Sequence, residues 1–393
     1  MPDAATLPTK CNGSMASTNA AGPTPPAPNA ALTVASGFTL EIVASIGGAR
    51  ELAALPNGDL LVASTGKDVY LVPNAEAAGK AGAPVLFTAI NDTPVSGVTF
   101  AGEICTIFVG SQHGVYAFPY QDAQQSATAG TPIAKVRQGT PTPGSDGDVH
   151  TTTSVAYTGG KLYASVGSGC NACVEVDPTR ATIQEMDPTG ANMTTRATRI
   201  RNAIGLTVNP ATGTLWAGGA GQDDLTYGHP FEFFDAVSMH TGTADYGWPD
   251  CEENHHAYTT GADCSATVQP LVELPAYDTI IGAAFYPSSA TGTHAFPSAY
   301  RGGLFLAAHG SWHNQSNQYI HPRVVYVPMS GDAPVTAVDW SDPTVQWGNM
   351  DFIGGFGNGP GYVGRPTGVA VGSQGSLFVS DDSNGVVYRV RPK

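Results

Sequence analysis

Positive charge is scarce in this chain. Lys and Arg total 17 of 393 residues against 32 Asp and Glu, a formal net charge of −15. Binding to phosphate backbones needs clustered Lys and Arg, so nucleic acid is excluded as an expected partner, and so is an anionic membrane surface. No apolar run approaches the roughly eighteen residues that a membrane-crossing helix needs. Charged residues of either sign are only 12 %, too few for a coiled coil or a disordered chain. Met1-Pro-Asp-Ala carries no basic and apolar leader, which reads as a mature start. A zinc finger is disfavoured because only one of the cysteine spacings is C-x-x-C.

What the chain has is turn punctuation. There are 48 Gly and 30 Pro, scattered through a sequence that is 41 % hydrophobic. Residues 18–32 are rich in Ala, Pro, Thr and Asn and read as part of an unpacked tail, residues 1–36. From residue 37 one pattern recurs: an alternating apolar strand, a tight turn, and a second apolar strand. The copies are residues 50–64 (RELAALPNGDLLVAS), 96–111 (SGVTFAGEICTIFVGS), 150–168 (HTTTSVAYTGGKLYASVGS), 201–219 (RNAIGLTVNPATGTLWAGG), 281–309 and 365–382 (RPTGVAVGSQGSLFVSDD). Each is a hairpin by period and turn chemistry. A third strand often follows, as in 68–73 (DVYLVP) and 385–392 (GVVYRVRP).

Six such units predict an all-β chain folded as a six-bladed β-propeller over residues 37–393. The unpaired segment 38–45 (FTLEIVAS) is expected to join the last blade and close the ring. A β-sandwich, or a pair of them, is the competing architecture. The even count of six cysteines suits an oxidising compartment, and hence a secreted, extracellular or periplasmic protein. Cys170 and Cys173 are close enough for a local bridge, and Cys251 and Cys264 flank a polar loop. By elimination Cys11 and Cys105 pair with each other.

In a propeller the first strand of each blade lines the central channel, so residues just before it crowd one channel mouth. Those positions hold Arg50, His150, Arg201 with Asn202, and Arg365. That much cationic character in an acidic chain calls for a compensating anion, unless each Arg pairs with a neighbour such as Glu51 or Asp148. His150, two residues after Asp148, has the chemistry of a general base whose tautomer a carboxylate fixes.

Taken together, His150 with its TTTSVAY strand, Arg201-Asn202, Tyr246-Gly-Trp-Pro249, His309-Gly-Ser-Trp312 and Gly364 with its RPTGVAV strand resemble the glucose/sorbosone dehydrogenases, in their sorbosone and pyranose branch. These are six-bladed propellers dependent on pyrroloquinoline quinone (PQQ). The resemblance implies a sugar-oxidising enzyme with PQQ and Ca2+ as cofactors and a cytochrome or other electron acceptor as partner. It implies His150 as catalytic base. It implies Arg50, Arg201, Asn202, His309, Trp312 and Arg365 around the cofactor. It also implies Gly221, Gln222 and Asp223, in the loop 219–228, at the metal. Two departures stand out: Val149 replaces the Asp that precedes the histidine in the glucose enzymes, and the segment 91–97 lacks their cofactor-contacting Gln. The alternatives are a calcium-dependent propeller lactonase or other hydrolase, and a non-catalytic binding propeller. The first is disfavoured because Arg and His stand where that class places metal-binding Glu, Asn and Asp.

Overall fold

The computed structural model describes residues 11, 22–139, 149–226, 228–311, 320–338, 350–357 and 361–393. Among them are strands and three short 3-10 turns, and no α-helix. Six antiparallel sheets of four or five strands follow one another along the chain. We number them as blades 1 to 6, starting from the innermost strands Ala49–Ala54, Gly97–Ala101, Thr153–Thr158, Gly205–Val208, Ile280–Phe285 and Pro366–Val371. Each innermost strand contacts the next, and that of blade 6 returns to that of blade 1, so the ring is closed.

The hairpins form where the turn chemistry puts them. In blade 3, Thr158 pairs with Lys161 across Gly159-Gly160, both at positive φ (57° and 77°), which a two-residue hairpin turn demands and glycine supplies. The ring closes as the unpaired N-terminal segment foretold: Phe38–Ser45 is the outermost strand of blade 6, paired with Val386–Pro392. Blades 3 and 5 depart from the four-strand plan. Ala244–Asp245 adds a parallel fifth strand to the former, and Thr33–Val34 a fifth strand to the latter.

The apolar core is six interfaces, one between each pair of neighbouring blades. Phe87 and Val98 pack between blades 1 and 2, and Phe108 and Leu162 between 2 and 3. Tyr163 and Leu206 pack between 3 and 4, and Trp216 and Phe285 between 4 and 5. Phe305 and Tyr388 pack between 5 and 6, and Phe378 and Leu60 between 6 and 1. Six hairpins sharing these interfaces settle the architecture as a propeller and not a sandwich pair.

All six cysteines are paired, as Cys11–Cys105, Cys170–Cys173 and Cys251–Cys264. The N-terminal tail corrects the expectation of an unpacked segment. Cys11 is 2 % exposed and bridged to blade 2, and the Gly22 amide donates to Ala81 O. Leu32, Val34 and Ala35 pack on the blade 5/6 core, so the tail is tied down well before residue 37.

Candidate active site

The register of the blades puts the predicted residues at one end of the channel. Thr153 pairs with Val166, Gly205 with Gly218, Ile280 with Ala308, and Pro366 with Asp381. The segments before each innermost strand and the loops after each second strand therefore share one face. Two clusters of side chains form there.

The first spans blades 3 and 4. His150 Nδ1 lies 3.0 Å from Ser168 O and 2.9 Å from Ser168 Oγ. A carbonyl only accepts, so Nδ1 carries the proton and Nε2 is the basic nitrogen. Ser168 orients the ring; Asp148, the carboxylate expected beside it, lies outside the described residues. Asn202 stands next to His150: a Cβ on Gly167 would meet Asn202 Oδ1 at 2.5 Å and His150 Cβ at 2.6 Å, so only glycine lets the two approach. Arg201 is buried and spends its guanidinium inward. It donates to Asn171 O (3.1 Å) and Oδ1 (2.9 Å), to Ala220 O (3.3 Å) and Gly221 O, and pairs with Asp223 at 2.9 Å.

Behind this loop lie two carboxyls that the sequence reading missed. Glu232 accepts from the Gly221 amide at 2.8 Å, and Glu252 lines the same small cavity. Burial pushes the Glu252 carboxyl up to about 8 against the pull of Arg201, and raises Glu232 likewise. Arg137 was also missed. It is 3 % exposed and donates to Gln112 O (2.6 Å), Thr153 Oγ1 (2.6 Å), Thr152 O and His150 O (2.9 Å), locking the segment that carries the histidine. It sits between blades, where no repeat marks it.

The second cluster spans blades 5, 6 and 1. Asp382 bridges Arg50 Nη1 (2.8 Å) and His309 Nε2 (3.0 Å). Burial works against its charge, but the His309 bond and the Arg50 cation hold Asp382 well below the usual carboxylate range. Burial in turn drives His309 down to about 4, partly offset by Asp382, so the imidazole is neutral at pH 7 and donates from Nε2. Arg365 donates to His309 O (2.9 Å) and Gly310 O (2.7 Å), lies over the Tyr362 ring, and has no carboxylate ion-pair partner among the described residues. Trp312 lies outside the described residues.

These contacts revise the charge argument. Arg50 pairs with Asp382 and not Glu51, and Arg201 pairs with Asp223. Two of the three arginines are neutralised within the protein, and the surplus positive charge rests with Arg365. Asp382 was legible in the sequence, as the last residue of the sixth repeat, but was not assigned.

Glu51 faces the channel below the site, with Oε1 shut off from solvent and unpartnered among the described residues. Burial raises its carboxyl from 4.5 to about 8, and Arg50 only partly offsets this. A folded-state value above the unfolded one means that the native protein binds the extra proton. Stability from this group is therefore full below pH 4.5 and lost as pH rises through 8. Glu51→Gln is expected to match wild type in denaturant midpoint at pH 4.5 and to exceed it at pH 8.5. Equal midpoints at both pH values would show that the carboxyl titrates as if in water.

A six-bladed propeller with a histidine and three arginines at one channel mouth defines a class of ring-shaped proteins with a polar axial site. The chain belongs to the TrAA12-like family, whose model matches residues 32–393. Its fold is similar to the holo form of the pyranose dehydrogenase PQQ domain from Coprinopsis cinerea, at 20 % identity and TM-score 0.73, covering 94 % of this chain and 99 % of that one. It is similar to the calcium structure of a family AA12 carbohydrate-active enzyme from Trichoderma reesei, at 18 % identity and TM-score 0.73, with the same coverage of 94 % and 99 %. A putative oxidoreductase (glucose dehydrogenase) from Thermus thermophilus aligns at 15 % identity and TM-score 0.56, over 90 % of this chain and all of that one. An uncharacterized protein of Borreliella burgdorferi is 23 % identical over 235 residues, or 58 % of this chain; the match spans only 57 % of that protein's length.

Proposed function

We propose that this protein is a secreted, PQQ- and Ca2+-dependent dehydrogenase that oxidises a sugar hydroxyl, passing electrons on to a cytochrome or another acceptor. The observation that carries the reading is His150, with its Nδ1 proton held by a carbonyl and its Nε2 left basic, beside Arg201-Asn202 in the fold of this family. PQQ, when bound, supplies the hydride acceptor and three carboxylates. The protein supplies position, base and charge.

His150 Nε2 takes the proton of the sugar hydroxyl as hydride leaves the same carbon, and Ser168 O shares the positive charge that develops on the ring. Arg365 is the cation best placed to meet a cofactor carboxylate, with Arg50 and His309 completing that wall through Asp382. Asn202 and the Arg201 loop form the opposite wall. The metal residues fit a hard cation in one respect above all: Gln222 Oε1 is buried and has no hydrogen-bond partner among the described residues. Gly221 O and one oxygen of Asp223 are already taken by Arg201, so their lone pairs are shared and not idle. The three disulfides suit export to an oxidising medium, and no helix among the described residues is long and apolar enough to cross a membrane.

A spectral titration of chelator-treated protein with PQQ tests this. Saturable binding that tightens on adding calcium, with dye reduction by a pyranose, is expected. Binding and turnover as good without calcium as with it would remove the metal from the proposal, and no binding under either condition would overturn it.

A further inference from the structure

One short loop touches both His150 and Arg201 in the blade 3/4 cluster. Ser168, at its start, holds the His150 ring. Three residues on, Asn171 is the common partner of four groups. Its Oδ1 accepts from Arg201 Nη2 (2.9 Å) and from the Asp223 amide (2.8 Å). Its Nδ2 donates to Asp223 O (3.0 Å). Its carbonyl accepts from Arg201 Nε (3.1 Å) and from the Trp248 indole (3.1 Å). Between Ser168 and Glu175 there is no regular secondary structure to hold this arrangement. What holds it is the Cys170–Cys173 bond, which straddles Asn171 and packs on Trp248 and Ala181. A second tie, Ser168 Oγ to Cys170 O at 2.8 Å, joins the histidine's partner to the bridged cysteine.

Building on the function proposed above, we infer that Asn171 is a positioning residue for the cofactor and metal loop, and that the Cys170–Cys173 bridge is the part that keeps it in position. An amide is the side chain that fits. It offers an acceptor to a guanidinium and a backbone N–H, and a donor to a carbonyl, from one planar group. A carboxylate or an alkyl chain cannot serve all three. The bridge acts through Asn171, so the two are one device: loss of either frees Arg201 to turn and the 221–223 backbone to drift. The Cys173 end is half-buried and Ala172 is exposed, so a reducing medium reaches the bond. The cofactor arm of the site is thereby conditional on an oxidising environment.

The test compares Asn171→Ala, Asn171→Asp, the double variant Cys170→Ser/Cys173→Ser, and the triple variant carrying Asn171→Ala on that background. Removing the bridge by mutation leaves Cys11–Cys105 and Cys251–Cys264 intact, which a chemical reductant would not. Two readouts are used: the dissociation constant for PQQ in calcium, and amide hydrogen exchange over residues 219–226 in the cofactor-free protein. The expected result is a PQQ dissociation constant raised about 10–100-fold in Asn171→Ala and in the double variant, the usual cost of losing a residue that orients a ligand. Asn171→Asp, which keeps both acceptor contacts, binds more tightly than Asn171→Ala. Exchange at 219–226 quickens in both losses, and the triple variant is no worse than the poorer parent, since the two changes break the same coupling. Multiplying effects in the triple variant, or a PQQ constant within twofold of wild type in Asn171→Ala, would overturn the inference. If wild type takes up no PQQ, the proposed function fails by itself, and the exchange readout alone decides whether Asn171 positions the loop.

Discussion

His150→Ala is expected to bind PQQ about as tightly as wild type and to turn sugars over slower by about 10²–10⁴-fold, the usual span for loss of a positioned general base. The separation follows from the geometry. The ring is held from behind by Ser168, through Nδ1. Removing the ring therefore costs a proton acceptor and not a cofactor contact. Neither the arginines nor His309 takes over. A guanidinium is a donor with no acceptor lone pair, which rules out the arginines at the mouth. His309 spends Nε2 on Asp382, and burial has brought it to about 4, too weak a base for an alcohol proton. The measurement is kcat and KM with dye acceptor at saturating PQQ and calcium over a panel of pyranoses. A near wild-type kcat would remove His150 from the chemistry.

Arg201→Ala is expected to fail differently. One guanidinium satisfies Asn171 O and Oδ1, Ala220 O and Gly221 O, and neutralises Asp223. Its loss strands Ala220 O and Gly221 O and removes the cation paired with Asp223, close to Glu252, whose carboxyl burial already raises. Leaving buried carbonyls without their donor costs about 1–3 kcal/mol each, read as a lower denaturant midpoint. PQQ affinity falls with it, and kcat at saturation falls less. Arg201→Lys does not restore either, because an ammonium cannot reproduce five donors in a planar fork. An unchanged midpoint in Arg201→Ala would mean that water fills the gap at no cost.

The sequence announced the ring because a hairpin is written locally. Alternation, a Gly-Gly or Asn-Gly turn and a second apolar run lie within some fifteen residues, and six copies leave few architectures. The cysteines yielded their pairs to counting. The strand Thr33–Val34 was hidden because two residues in an Ala- and Pro-rich stretch carry no period. The site was half visible. The positions before each innermost strand named His150, Arg201 and Arg365, but not what faces them. Asp382 meets Arg50 across 332 residues, and Arg137 reaches across a blade boundary to Thr153. Such pairings arise only when the ring brings distant segments together, and no spacing encodes them. For the same reason the surplus of positive charge looked larger in the sequence than it is in the folded protein.

Closure of the ring also sets when the site can exist. The strand Phe38–Ser45 leaves the ribosome long before its partner Val386–Pro392. Until that partner arrives, Arg50 waits for Asp382, and the wall formed by blades 5, 6 and 1 has no fixed geometry. The blade 3/4 wall can form sooner, from residues between 137 and 252. A chain without Val386–Pro392 would thus keep the His150 and Arg201 cluster and lose the fixed arrangement of Arg50, Asp382 and His309. The wall of blades 5, 6 and 1 is therefore a product of ring closure and not of any one blade.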